Sequence, residues 1–184
     1  LPYKIIGGLR FYERKEIRDI IAYLRLVNNL NDDLAFERII NIPKRGIGKT
    51  TLSKLNSLTR INNTSMFEAA EIFVREDSSK IKLEISNFLS KIYKWHKLKN
   101  EIDHKQLVQI ILEDSNYIKF LEQEANLSIS PDNLTRIDNI KEFIESLKDF
   151  ENLEGFLEHV SLVMENISNS STENISLMTM HSAK

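Results

Sequence analysis

No cysteine occurs in the 184 residues, which removes disulfide staples and thiolate metal sites and points to a reducing, cytosolic compartment. Proline and glycine are scarce, at three and five; that is too few for a fold built on tight turns and fits a helical chain. No apolar run approaches the ~18 residues of a membrane-spanning helix, and nothing near the start has the form of a signal peptide. Neither sign of charge dominates. With 25 Lys and Arg against 27 Asp and Glu, the formal net charge is -2, so any contact with nucleic acid has to come from a local basic cluster. An initiator Met is also lacking, since Leu1-Pro2 opens the chain, and Lys184 closes it directly after a strand-like run. The expectation is a domain excised from a larger protein.

What is present is apolar material, 41% of the chain, enough for a core of one domain with fragments of a neighbour. Helical periodicity recurs throughout. Ile17, Ile20, Ile21 and Leu24 form one stripe, and Leu34, Phe36, Ile39 and Ile40 another after the helix starters Asn31 and Asp32. A break spans residues 41–48. Leu52, Leu55 and Leu58 then mark a helix begun near Thr50 or Thr51, and Ser65 with Glu68 forms a capping box for the next one. Ile81, Ile85, Phe88, Leu89, Ile92 and Trp95 stripe a helix of about five turns. Asp103 with Gln106 repeats the capping signature ahead of Leu107, Ile110 and Ile111. Ile137, Ile140, Ile144 and Leu147, and then Phe156, Leu157, Val160 and Met164, complete the set.

The ends differ. Residues 4–6, ahead of Gly7-Gly8, read as a short strand, and residues 175–180 alternate like one after a polar linker at 168–174. Two lone strands around about nine helices cannot make a sheet of any size. A helical domain inserted into a neighbour that owns the sheet is the economical reading.

Three local features could carry chemistry. Lys44-Arg45-Gly46-Ile47-Gly48-Lys49-Thr50 ends like a phosphate-binding loop, but Pro43 occupies the position where that loop needs its first glycine, and Pro donates no amide hydrogen. The segment reads instead as a hairpin between helices, whose glycines and following amides approach a duplex phosphate while Lys44, Arg45 and Lys49 add charge. An ordinary helix-loop-helix turn with solvated cations is the competing reading. Thr179, His181, Ser182 and Lys184 leave the end of the terminal strand, where open α/β sheets place ligands. His181 has no second His or acidic pair nearby, which argues against a metal site. Arg10, Glu13, Arg14, Lys15, Glu16, Arg18 and Asp19 form a mixed-charge run, expected to be a solvated helix face with i,i+4 pairs.

The order GGLRFYERKEIRDIIAYLRL, NDDLAFERIINIPKRGIG, RIDNIKEF and ISLMTMHSAK resembles the UvrD/PcrA/Rep group of superfamily one DNA helicases over essentially the whole chain. The resemblance implies a fold class that is mainly α: a helical subdomain, 2B, at residues 9–173, inserted into the RecA-like α/β motor domain 2A, whose edges would be residues 1–8 and 174–184. It implies a bacterial, cytoplasmic, nucleoid-associated parent that uses ATP and Mg2+ to move 3′ to 5′ on single-stranded DNA and unwind duplex in DNA repair. Its partners would be duplex and junction DNA, domains 1A, 1B and 2A, and mismatch or excision repair proteins, with no membrane. Gly46-Ile47-Gly48 matches the family's duplex-contacting GIG element, flanked by Lys44, Arg45, Lys49 and Thr50. Thr179, His181, Ser182 and Lys184 match the start of motif V, beside single-stranded DNA and the ATP cleft. The Walker segments and arginine finger are not in this stretch, so no catalytic residue and no bound cofactor is expected in it. The role implied is to hold duplex and swivel; an autoregulatory, protein-contacting module is the alternative.

Overall fold

The computed structural model describes residues 9–127 and 132–170. After a 3-10 turn at Leu9–Phe11, the described residues form nine helices: α1 (Lys15–Asn28), α2 (Asp33–Ile39), α3 (Lys49–Asn62), α4 (Met66–Glu76), α5 (Ile81–Leu98), α6 (His104–Asp114), α7 (Tyr117–Leu127), α8 (Asp132–Ser146) and α9 (Leu153–Ser170). The described part is all helix and connecting turns, as the stripes predict. The strands expected at 4–6 and 175–180, with both domain edges, lie outside the described residues.

Helix starts follow the local chemistry. Asp32 caps α2 by accepting the Ala35 amide at 3.0 Å. Ser65 and Glu68 form the full reciprocal box on α4. Asp103 caps α6 through the Lys105 amide at 3.0 Å. The start of α3 falls at Lys49, one or two residues before the expected Thr50 or Thr51, because extended Gly48 is its N-cap. Helix α7 is the one to which the sequence reading assigns neither an apolar stripe nor a capping signature.

Helix α1 is the hub. It packs against α2, α5, α6, α8 and α9, and a helix surrounded by others has to be apolar nearly all round. Ile17, Ile20, Ile21, Tyr23, Leu24, Leu26 and Val27 are accordingly buried. From there one core runs through Phe36, Phe67 and Phe88, then Trp95, Leu107 and Ile111, to Phe143 and Phe156. The aromatic rings meet edge-on, Phe36 against Phe88 at 5.6 Å and Tyr23 against Trp95 at 5.9 Å, the arrangement that ring quadrupoles favour.

In the charged run at the start of α1, Arg10, Glu13, Arg14, Lys15 and Arg18 are exposed as its composition suggests, but two acids are not. Glu16 and Asp19 are buried, Asp19 completely, and their partners come from other helices. Asn139 of α8 donates to Glu16 at 2.7 Å and accepts from Arg14. Tyr117 of α7 donates to Asp19 at 2.8 Å. Arg38 of α2 stands 2.7 Å from Asp19 as an ion pair, off the axis of a hydrogen bond. The correction has a plain cause: the hub helix has almost no solvent side, so its polar residues have to be satisfied by its neighbours.

Burial raises the Asp19 carboxyl above its ordinary value, against the Tyr117 hydroxyl and the Arg38 and Lys15 charges, which pull it down. A raised carboxyl favours the fold below its unfolded pKa and loses that contribution as pH climbs through the folded one. Tyr117→Phe removes the donor that serves the ionised carboxylate. The expected cost is roughly 1–3 kcal/mol at neutral pH, shrinking as pH falls and Asp19 takes up its proton. Urea titrations at several pH values measure it; a deficit that stays constant with pH would detach the bond from Asp19 ionisation.

Candidate nucleic-acid interface

The turn between α2 and α3 is locked from inside. Asn41 Oδ1 accepts the amides of Arg45 at 2.8 Å and Ile47 at 3.2 Å, a side chain standing in for a backbone turn partner. Ile47 is 1% exposed and anchors the tip in the core. Gly46 lies at φ +74, in the left-handed region that glycine enters without strain.

Arg45 turns the other way from what its charge suggests. Its Nη1 donates to the carbonyls of Ile39 and Ile40 at 2.9 Å and of Ile42 at 3.1 Å, and its Nη2 to the Tyr23 hydroxyl at 2.8 Å. The guanidinium lies 5.1 Å from the centre of the Phe88 ring. Planar, with five donors, it is shaped to close the carbonyl end of α2, whose last groups have no helical partner. Arg45, expected as a DNA ligand, thus ties the turn to α2 and α1 from inside. Ile47 likewise turns inward, its side chain buried and its amide taken by Asn41.

The outward side is open. Lys44, Gly46, Gly48, Lys49 and Thr50 are exposed, and among the described residues neither Lys44 nor Lys49 has an ion-pair partner. Helix α3 begins without a side-chain cap and with no acid in its first turn. The Leu52 amide reaches back to the Gly48 carbonyl at 3.1 Å as the first helical bond. The amides of Lys49, Thr50 and Thr51 are left without a helical acceptor, at the positive end of the helix dipole and beside two free lysines. This arrangement can receive an anion such as a backbone phosphate. It does not suit a nucleoside triphosphate, because Pro43 withholds an amide and the element before the turn is helix α2, not a strand.

A sequence model of the UvrD-like helicase C-terminal domain matches residues 1–184. The chain belongs to this family. Among its relatives, a "DNA helicase II" of Rickettsia typhi is 40% identical over 188 residues, covering all of this chain and 28% of the relative. An "ATP-dependent DNA helicase PcrA" of Staphylococcus aureus is 39% identical over 194 residues, again covering all of this chain and 26% of the relative. The chain therefore spans about a quarter of the length of these UvrD-like relatives.

The mainly helical fold expected from the family is the one seen. The structure brings Lys44, Gly46, Gly48, Lys49 and Thr50 to one outward surface and places Arg45 and Ile47 behind it. Thr179, His181, Ser182 and Lys184 lie outside the described residues. Asn41 escaped the sequence reading, although an Asn after a helix and ahead of a Pro-Gly turn is the expected kind of signal.

Proposed function

We propose that this chain is the helical 2B part, residues 9–173, of an ATP-dependent 3′ to 5′ DNA helicase acting in bacterial DNA repair, and that its turn at residues 44–50 holds duplex DNA at the junction where strands part. In this reading residues 1–8 and 174–184 belong to the motor domain, and Thr179, His181, Ser182 and Lys184 couple single-stranded DNA to the ATP cleft. ATP and Mg2+ belong to segments of the parent outside this chain. The other motor domains and repair proteins are its partners, and swivelling of 2B regulates unwinding.

The observation that carries the proposal is the uncapped start of α3, flanked by exposed Lys44 and Lys49 on a turn held rigid by Asn41, Arg45 and Ile47. Rigid amides with point charges grip phosphates without reading bases. A protein-contacting role ranks second. It is favoured by exposed Leu162 on the cleft between α1 and α9, but the other large exposed apolar side chains, Leu34, Ile61, Leu83 and Tyr93, are scattered over α2, α3 and α5.

The test is fluorescence anisotropy of a duplex with a single-stranded tail, titrated with the chain across a salt series. Affinity is expected to be weak, and log affinity to fall linearly in log salt by about 0.9 per phosphate held, a total slope of a few units. Binding indifferent to salt would refute the phosphate reading.

A further inference from the structure

The turn at residues 44–50 does not stand alone on its surface. A Cβ added at Gly46 would sit 3.8 Å from Ile81 Cδ1, so the first turn of α5 lies directly against the turn although 35 residues separate the two in sequence. Ile81 is half-buried there, and successive residues of a helix point about 100° apart, which sends Lys80 and Lys82 to either side of it. Lys80 is exposed and Lys82 half-buried. Neither has an ion-pair partner among the described residues.

The nearby carboxylates are otherwise engaged or directed. Asp77 accepts the Ser79 amide at 2.6 Å and stands 3.5 Å from Lys54. Glu84 lines the small cleft that holds Arg45, Asn87 and Lys91. Two lysines of the turn and the two that flank Ile81 at the start of α5, none with an ion-pair partner among the described residues, thus belong to the two segments that meet at Gly46. No local structure demands this: burying an uncompensated cluster costs, and leaving one exposed weakens the fold slightly by repulsion.

We propose that Lys80 and Lys82 form a second arm of the duplex-binding surface, taking backbone phosphates next to those held by the 44–50 turn. This rests on the duplex reading above and extends it to a helix that reading does not use. Contacts from two segments would cross a stretch of backbone rather than a single phosphate, setting the angle at which the duplex lies on the domain as well as its affinity.

The experiment compares the chain with K80Q/K82Q, with the charge-keeping K80R/K82R, and with K97Q/K119Q, which removes the same charge elsewhere. Lys97 lies about 22 Å from Lys82 along α5 at 1.5 Å per residue. Tailed duplex and a single strand of the same sequence are titrated across salt, with a thermal melt of each variant. K80Q/K82Q is expected to lose about tenfold in duplex affinity at low salt and to flatten the salt slope by about two units, 0.9 for each phosphate released. K80R/K82R should keep both affinity and slope, and K97Q/K119Q should change little. An unchanged slope in K80Q/K82Q, or an equal loss in K97Q/K119Q, overturns the second arm. If either occurs while Gly48→Asp still abolishes binding, the 44–50 reading survives alone; if the unsubstituted chain binds no duplex, both fall together.

Discussion

Gly48→Asp is expected to reduce affinity for tailed duplex at least tenfold while leaving the domain as stable as before or slightly more so. Gly48 has φ -97 and ψ -176, extended backbone that any residue adopts, and a Cβ there meets nothing within 4 Å. Asp is among the best N-cap residues, a few tenths of a kcal/mol better than Gly. Its carboxylate would accept the amides at the start of α3 and fill the place a phosphate needs, adding a negative charge at the same point. Stability and binding are thereby uncoupled, so a loss of binding cannot be blamed on unfolding. Gly46→Asp lacks this property, because a side chain at φ +74 costs roughly 1–2 kcal/mol in backbone strain. Anisotropy and a thermal melt on the same sample decide the matter. Unchanged duplex binding by Gly48→Asp would remove the α3 start from the interface.

Arg45→Ala is expected to destabilise the domain by about 3 kcal/mol, since it strips three carbonyls and the Tyr23 hydroxyl of a charged donor at once. For a domain of this size that lowers the melting temperature by roughly 6–12 °C. Arg45→Lys should recover little, because an ammonium cannot fork to the same acceptors or lie flat near Phe88. Chemical denaturation gives the magnitude. If Arg45→Ala were within about 0.5 kcal/mol of the parent yet lost duplex binding, Arg45 would be a phosphate ligand and its inward role would be wrong. The contrast between neighbours is the point: Arg45 holds the turn and Lys44 and Lys49 face outward, although the three look alike in sequence.

Much of the fold was legible because the apolar stripes on α1, α5 and α8 repeat at helical spacing over several turns, and the Ser65–Glu68 box states its own geometry. Short helices were less so. Helix α2 has seven residues, too few for periodicity to choose a face, and Leu34, expected in its stripe, is 75% exposed. At the candidate site the glycines, the flanking lysines and the misfit with a triphosphate loop could all be read from residue types. The direction of Arg45 could not, because a cation beside glycines has the same composition whether it faces water or the carbonyls of the preceding helix.

By itself the sequence determined a mainly helical chain, its family and the position of the turn, since periodicity, caps and ordered motifs are properties of neighbours along the chain. Only the tertiary structure decided that Glu16 and Asp19 are buried, that Arg45 points inward, and that Ile81, between Lys80 and Lys82, lies beside Gly46. Each of those depends on which helix lies beside which. Asp19 meets Tyr117 across 98 residues, and Gly46 meets Ile81 across 35. Burial and charge pairing follow proximity in space, and no local pattern encodes it.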